Sequence, residues 1–320
     1  MSAFDIYQDL PSTTDKEDFL MKVHLGVNNC YAVKRWPEPD VWGKHVAERW
    51  GLKYVQHTFD LLDPRCTDGA RDVMCEEIRS AAEKYGFEVH SYFTGLASYT
   101  YNLFLHPFIE FRQDALRWCE QACVVAGKLG TQTVGGAHSG ASMESFKDPE
   151  TREYLLRNFV ESQKSFARYG SVHGQKYILW EPTPPTREMC PTIDDARKIY
   201  ERFNDHIPIP IQFCLDVGHM CGCEQCGLDN DPYLWLEELG QYSPVVHVQQ
   251  TDGQYDRHWP FSEEYNQQGI IKMDRVLEAL DKSGTEEVFI FLEAMHPFEI
   301  EETKVLADLD ESFEYLKQFI

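Results

Sequence analysis

The chain has 320 residues, of which 42% are hydrophobic and 26% are charged, a balance typical of a globular protein and not of a disordered one. Its 30 Lys and Arg residues against 53 Asp and Glu residues give a formal net charge of -23. This charge argues against nucleic acid or an anionic membrane surface as a partner, because both require a positive surface. A small anionic substrate stays compatible, since a few local basic groups suffice to bind it.

The first 21 residues are polar and acidic and are predicted to form a short N-terminal extension. They lack the basic start and apolar run of a signal peptide. No stretch of the chain reaches the roughly 18 apolar residues that are needed to span a membrane. We therefore expect a soluble, cytoplasmic protein whose ten cysteines are free thiols.

Eight apolar segments of strand length alternate with helical patterns along the rest of the chain. Several helical patterns stop at a glycine, such as Gly86 and Gly130, which is typical of a helix end. The predicted strands are 23–28, 52–59, 87–93, 131–134, 175–180, 209–215, 245–249 and 288–292. The predicted helices are 40–50, 68–85, 106–129, 149–169, 193–204, 232–239, 272–282 and 303–319. A long polar and aromatic loop is predicted between the seventh strand and the seventh helix, at 250–269.

Strict alternation of strand and helix predicts parallel strands with the helices packed outside them. Eight such units in about 300 residues fit an α/β fold, a single (β/α)8 TIM barrel. A doubly wound open sheet is the alternative, but no G-x-G-x-x-G follows the first strand and the chain has no P-loop. Because no linker or repeat divides the chain, we predict one catalytic domain at 22–320 after the extension at 1–21.

Four consecutive predicted strands end at a side chain that can bind a metal ion. These residues are Glu181, Asp216, His247 and Glu293. The active site of a TIM barrel lies at the C-terminal face of its strands, so the four side chains are expected to converge there. Three carboxylates and one imidazole suit a divalent ion such as Mn²⁺, Mg²⁺ or Co²⁺. The alternative for any one carboxylate is that it caps the next helix or pairs with an arginine.

The same strand ends carry the motifs W-E-P, L-D-V-G-H, V-H-V-Q-Q-T-D and L-E, in that order along the chain. This ordered set resembles the xylose-isomerase-like TIM-barrel superfamily of sugar isomerases and ketose 3-epimerases, over residues 22–320. The resemblance implies that the four residues bind one divalent cation, with Mn²⁺ favoured over Mg²⁺ and Co²⁺. It also implies that Glu181 and Glu293 are catalytic: one removes a carbon-bound proton, an enediolate forms, and the other glutamate returns a proton from the opposite face.

Five further residues are candidates for binding the substrate. By the resemblance, His219 contacts the substrate, and Asp252 and Arg257 hold the places of an acid and an arginine in the seventh loop. His258 follows in the segment H-W-P-F, which departs from the small glycine-rich loop common in the superfamily. His138, within G-G-A-H-S-G, could line the pocket, although a simple tight turn is the alternative. For Arg257 the alternative is a surface position in a polar loop.

Two other features allow a functional and a structural interpretation. His57 and His90 lie near strand ends, yet a strand histidine is often a hydrogen-bonded core group. Cys221, Cys223 and Cys226 place three thiols within six residues. Zinc could bind such thiols, but the second C-x-x-C pair of a zinc site is missing, so a loop without metal is favoured.

The resemblance implies a divalent-metal-dependent isomerase or epimerase of a small sugar or sugar phosphate in carbohydrate catabolism. A tetrulose phosphate is one candidate substrate. The alternative from another enzyme class is an endonuclease-IV-like DNA-repair hydrolase, which the net charge of -23 disfavours. A non-catalytic sugar-binding barrel is the third hypothesis. We expect neither a nucleic-acid nor a membrane partner, and the sequence leaves homo-oligomerisation open.

Overall fold

Eight parallel strands close into a barrel in the computed structural model, which describes residues 21–183, 187–221 and 229–320. Each strand pairs with its neighbours in chain order, and β1 closes the barrel by pairing with β8. The strands are β1 Lys22–Asn28, β2 Tyr54–Thr58, β3 Glu88–Phe93, β4 Thr133–Gly136, β5 Tyr177–Trp180, β6 Ile211–Asp216, β7 Val245–Val248 and β8 Glu287–Leu292. The predicted (β/α)8 TIM barrel is confirmed. Residues 1–20 lie outside the described residues, so the division into extension and barrel stays a prediction.

The helices surround the barrel and cover its outer apolar face. They are α1 Pro39–Lys44, α2 Asp68–Tyr85, α3 Ile109–Leu129, α4 Met143–Lys147, α5 Pro149–Val172, α6 Ile193–Phe203, α7 Pro232–Leu239, α8 Glu263–Gln268, α9 Met273–Lys282 and α10 Glu302–Leu316. Local sequence explains their ends. The Asp148 side chain accepts a hydrogen bond from the backbone N–H of Thr151 at the start of α5. Gly86 and Gly130 follow α2 and α3 with φ values of 76° and 73°, which a glycine adopts without steric cost.

The structure differs from the sequence prediction in three short segments. The predicted helix 40–50 divides into α1 and a wider π-helical turn, His45–Arg49, which closes when the Trp50 N–H donates to the His45 carbonyl at 3.0 Å. The helix α4 was not predicted. The long loop at 250–269 contains the short helix α8, whose Asn266 accepts a hydrogen bond from the Gln250 side chain at 2.9 Å.

The interior of the barrel contains a small apolar cluster that is separate from the larger core under the helices. Four of its members are Leu179, Cys214, Val245 and Phe291, from β5, β6, β7 and β8, and all four are fully buried. Successive side chains of a strand point to opposite faces, so residues two positions further along also point inward. Those residues are the four predicted metal ligands, which therefore lie directly above this apolar layer.

No helix in the described part of the chain is both long and apolar enough to cross a membrane.

Gly135 on β4 tests how tightly the barrel is closed. A Cβ at this position would lie 2.7 Å from the backbone Cα of Leu179 on β5, and backbone cannot yield as a flexible side chain does. We expect Gly135→Ala to lower the free energy of unfolding by about 3 kcal/mol, measured by urea denaturation. Gly69→Ala is the control, because Gly69 lies in α2 with no atom within 4 Å of the added Cβ, and it should be stabilising. Equal stability of the two variants would contradict the close contact of β4 and β5.

Candidate metal centre and sugar site

Four side chains from consecutive strand ends converge at the C-terminal mouth of the barrel. We call Glu181, Asp216, His247 and Glu293 the strand-end tetrad. One possible ligand atom from each lies within 4.8 Å of the other three, and all four residues are buried. The His247 Nδ1 is 2.9 Å from the Glu181 Oε1, 3.1 Å from the Glu293 Oε2 and 3.8 Å from the Asp216 Oδ2.

Each member of the strand-end tetrad has one buried atom for which the described part of the chain offers no hydrogen-bond partner. These atoms are Glu181 Oε1, Asp216 Oδ2, His247 Nδ1 and Glu293 Oε2. They are the same atoms that face each other across the short distances above. Three buried carboxylates at this separation cost several kcal/mol of desolvation and mutual repulsion if nothing compensates them. A divalent cation among the four atoms would satisfy all of them, so the donor set fits a hard or borderline ion.

Two amide side chains orient His247 and Glu293. The Gln56 Oε1 lies 2.6 Å from the His247 Nε2 and accepts a hydrogen bond from its N–H, which leaves the lone pair of Nδ1 facing the carboxylates. The same Oε1 accepts a second hydrogen bond from the Asn28 Nδ2 at 2.9 Å. Asn28 also donates to the Glu293 Oε1 at 2.7 Å, so the other oxygen of Glu293 faces the tetrad. No role was predicted for either amide.

Backbone and side-chain donors fix Asp216 in the same way. Its Oδ1 accepts from the N–H of Gly218 at 2.6 Å, from the N–H of His219 at 3.2 Å and from the Gln249 Nε2 at 2.9 Å. A Cβ on Gly218 would lie 2.5 Å from the Gln249 Nε2, so the glycine in the motif L-D-V-G-H allows this approach. The remaining oxygen, Oδ2, is the one that faces the tetrad.

The two tetrad glutamates differ in their electrostatic surroundings. In the protein alone, burial raises the pKa of Glu181 by more than His247 and His219 lower it. Burial also acts on Glu293, but His247 and then His258 outweigh it and bring the pKa of Glu293 to about 2.

Two histidines meet at one carboxylate beside the tetrad. The Asp256 Oδ2 lies 3.3 Å from the His219 Nε2 and 3.1 Å from the His258 Nε2. The Tyr99 hydroxyl lies 3.1 Å from the same His219 nitrogen. Burial lowers the pKa of His258, but Asp256 outweighs it and raises that pKa to about 9. Both histidines were predicted as site residues, but Asp256 and the role of Tyr99 were not. Asp256 and Tyr99 lie on loops, and no sequence motif marks them.

The other predicted substrate residues contact protein groups. The Arg257 Nη2 lies 2.7 Å from the Asp252 Oδ2, and this hydrogen bond lowers the pKa of Asp252 to about 2. The guanidinium of Arg257 also lies over the rings of Tyr255 and Trp259. Substrate binding by Arg257 and Asp252 stays a prediction.

His138 is buried away from solvent, with Gln163 3.1 Å from its Nδ1 and the ring of Phe166 at 5.2 Å. Burial lowers the pKa of His138 to about 3, so the ring is neutral. Its Nε2 has no hydrogen-bond partner among the described residues, and its predicted role in substrate binding is neither supported nor contradicted.

The two remaining histidine candidates, His57 and His90, contact core side chains. His57 lies between the rings of Trp42 and Tyr92, and Asn29 is 2.8 Å from its Nδ1. His90 contacts Phe289 inside the barrel instead of lying at the strand end. These contacts agree with core histidines.

The cysteine cluster is described only in part. Cys221 is buried and contacts the Val217 carbonyl at 3.1 Å. Cys223 and Cys226 lie outside the described residues, so the absence of zinc from this cluster stays a prediction.

Another buried carboxylate, Glu188, lies on the loop after β5 and was not predicted. Glu188 is fully buried and accepts a hydrogen bond from the Ser139 hydroxyl, while its Oε1 has no partner among the described residues. Burial raises the pKa of Glu188 well above its ordinary value, which favours the neutral form of this group. Glu188 lies seven residues after Glu181 in the sequence, and no motif marks it as a site residue.

The family model described as "Xylose isomerase-like TIM barrel" matches residues 45–319 of the chain. The chain belongs to this family. A curated relative, the D-erythrulose 1-phosphate 3-epimerase of Brucella abortus (strain 2308), is 27% identical over 274 residues, which cover 85% of this chain and 88% of the relative.

Solved structures share the fold. A protein of Rhodospirillum rubrum ATCC 11170, provisionally assigned as a xylose isomerase, is 33% identical and superposes with a TM-score of 0.86, over 93% of this chain and 99% of its own. The D-psicose 3-epimerase of Clostridium cellulolyticum H10, solved with D-tagatose, gives a TM-score of 0.69 at 14% identity, over 92% of this chain and 98% of its own. The identity of this second structure is low enough that it shows the fold alone.

Gln56 tests whether the amide support matters for ion binding. Gln56→Leu removes the oxygen that accepts hydrogen bonds from the His247 Nε2–H and from the Asn28 Nδ2. We expect Mn²⁺ affinity, measured by calorimetry, to fall about 10- to 100-fold. Gln212→Leu is the control, because Gln212 lies on β6 away from the tetrad and accepts from the Tyr200 hydroxyl. Unchanged affinity in Gln56→Leu would show that Gln56 does not orient a ligand.

Proposed function

We propose that the protein is a divalent-metal-dependent epimerase of a small ketose or ketose phosphate, acting at C3. The observation that carries this proposal is the strand-end tetrad, in which four buried and unpartnered atoms face each other and two of them belong to glutamates. The name of the Brucella abortus relative supports a four-carbon ketose 1-phosphate as the substrate. Mn²⁺ is the favoured ion, with Mg²⁺ and Co²⁺ as alternatives that the same donor set accepts.

When bound, the ion supplies Lewis-acid polarisation of the substrate oxygens and stabilises the negative charge that develops at them. The protein supplies the proton transfers. Glu181 and Glu293 come from β5 and β8 and lie on either side of the His247 Nδ1, at 2.9 Å and 3.1 Å. One carboxylate takes the proton from C3, and the other gives a proton to the opposite face of the planar intermediate, which inverts that carbon.

His219, His258 and Asp256 form the side of the site that faces away from the apolar layer inside the barrel. Asp256 holds His219 and His258 in fixed orientations by contacts of 3.3 Å and 3.1 Å. Tyr99 contacts the His219 nitrogen from the loop after β3. We propose that His219 and His258 bind substrate hydroxyls next to the reacting carbon, and that Arg257 binds the far end of the substrate, where a phosphate would lie.

An aldose–ketose isomerase is a second candidate that the site supports. The Rhodospirillum rubrum structure carries that provisional assignment and is 33% identical to this chain. Both reactions begin with removal of a proton from a carbon next to the carbonyl. The epimerase takes the proton from C3 and returns one to C3, whereas the isomerase takes a proton from C1 and returns one to C2, which leaves an aldehyde at C1. We therefore propose proton NMR in D₂O with Mn²⁺ and a panel of ketoses and ketose phosphates that includes D-erythrulose 1-phosphate. Deuterium at C3 with inversion supports the epimerase, deuterium with a new aldehyde supports the isomerase, and no exchange contradicts both.

The two glutamates are tested by isosteric substitution. Glu181→Gln and Glu293→Gln each remove a proton-transfer group, so we expect turnover of the active substrate to fall by about 10³-fold or more. Circular dichroism should show an unchanged fold. Glu287→Gln is the matched control, because Glu287 lies at the opposite end of β8, where it pairs with Lys22 at the surface. Full turnover in either tetrad variant would contradict the mechanism.

Removal of the ion gives a test that does not depend on the substrate. Dialysis against a chelator is expected to lower the thermal unfolding midpoint, because three buried carboxylates then repel each other without compensation. Mn²⁺ should restore the midpoint and the activity together. Asp216→Asn should show a smaller response to Mn²⁺, since it replaces the carboxylate whose Oδ2 faces the tetrad. A midpoint that is the same with and without ions would contradict metal binding at this site.

A further inference from the structure

Cys214 lies directly beneath the strand-end tetrad. It is fully buried inside the barrel, two residues before Asp216 on the same inward face of β6. It pairs in register with Val245 on β7, two residues before His247. Its Sγ and one ligand atom each from Glu181 and His247 lie within 4.8 Å of one another. A thiol therefore lies among the interior groups directly below two of the tetrad residues.

Glu181, Cys214 and His247 form a donor set with chemistry different from that of the tetrad. Thiolate, imidazole and carboxylate together suit zinc and the softer ions of its group, which prefer sulfur and a tetrahedral arrangement. Three carboxylates and one imidazole suit harder ions that prefer oxygen. The two sets share Glu181 and His247. The Oε1 of Glu181 and the Nδ1 of His247 are both buried and have no hydrogen-bond partner among the described residues.

The two sets are alternatives for one ion. In a tetrahedral zinc site the metal lies about 2.3 Å from sulfur and about 2.0 Å from nitrogen or oxygen, so its ligand atoms are close together. The Cys214 Sγ lies within 4.8 Å of one ligand atom each of Glu181 and His247. Among the described residues, no set with this spacing joins Cys214 to Asp216 or Glu293, whose ligand atoms belong to the tetrad. An ion that binds the sulfur must move toward the barrel floor, away from Asp216 and Glu293.

We propose that the barrel contains a second, deeper ion position formed by Glu181, Cys214 and His247, which selects thiophilic ions such as Cd²⁺ or Zn²⁺. This inference rests on the proposed metal site, because it uses two of its ligands. Binding exchanges the S–H bond for a sulfur–metal bond and releases one proton to solvent, with no change of oxidation state. An ion in the deeper position occupies Glu181 and His247 and excludes Mn²⁺, so thiophilic ions inhibit the enzyme by displacement.

The test uses Cd²⁺ and the full chain. Cys221, Cys223 and Cys226 are replaced by Ser in every sample, so that the cysteine cluster in the sequence does not contribute a signal. Cd²⁺ added to the metal-free protein is expected to give one equivalent of ultraviolet thiolate-to-metal charge-transfer absorbance. Cys214→Ser should abolish this absorbance and weaken Cd²⁺ binding by about 100-fold. Loss of a group that only supports a ligand weakens binding by about 10- to 100-fold, and loss of the ligand itself should reach the upper end of that range. Cys190→Ser is the matched control, because Cys190 is equally buried outside the site, and it should leave the absorbance unchanged.

Two further measurements keep the outcome decisive. X-ray absorption at the cadmium edge on the background protein counts sulfur ligands without a substitution at position 214: one sulfur supports the deeper position, and none overturns it. Mn²⁺ binding by electron paramagnetic resonance shows that the tetrad is intact in Cys214→Ser. An absorbance that persists in Cys214→Ser also overturns the proposal. Because no readout here requires turnover, a protein that binds Cd²⁺ through one sulfur but exchanges no substrate proton would contradict the proposed function and leave this inference standing.

Discussion

Three carboxylates and an imidazole point into one small volume, and the barrel has to hold them there against their mutual repulsion. Bringing buried carboxylates this close is unfavourable without a compensating positive charge. The short approach of the His247 Nδ1 to Glu181 and Glu293, at 2.9 Å and 3.1 Å, shows how strongly the four groups converge. The strand register makes this unavoidable, because each residue lies two positions beyond a member of the apolar interior layer. The site is thus a consequence of barrel closure and not of local loop structure.

The half of the barrel that contributes no tetrad residue supplies the hydrogen bonds that support two of the tetrad residues. Asn28 at the end of β1 and Gln56 on β2 reach across the barrel mouth to Glu293 and His247. Asp60, just after β2, accepts hydrogen bonds from the N–H groups of Leu96 and Ala97 at 2.6 Å and 3.2 Å, which fixes the turn that carries Tyr99. The first two strands therefore orient Glu293 and His247, whereas Asp216 is held by donors from its own half of the barrel.

The fold and the convergence of the tetrad were predictable from sequence because both depend on strand periodicity and on strand ends. Elements such as α2 matched their predicted bounds, since Gly86 and the apolar pattern are local signals. The supports were not predictable. Gln56 lies 191 residues from His247 in sequence, and an amide on a strand has no feature that distinguishes a structural from a functional role. Asp256 depends on the path of a long loop, which brings it between two histidines from different strand ends.

The residues proposed to carry out the reaction and the residues proposed to recognise the substrate lie in different parts of this structure. The groups proposed to transfer protons and hold the ion follow rigid strands, and their positions are fixed by the register of β5 to β8. The groups proposed to bind the rest of the substrate lie on loops: Tyr99 after β3, and Asp256, Arg257 and His258 after β7. His258 has a φ of 49°, a conformation uncommon outside glycine, and its carbonyl accepts from the Met295 N–H at 2.8 Å, so the loop after β8 constrains the loop after β7. A change in the loop after β7 therefore acts on the loop after β8 through this hydrogen bond, whereas the strands that position the tetrad can stay unchanged.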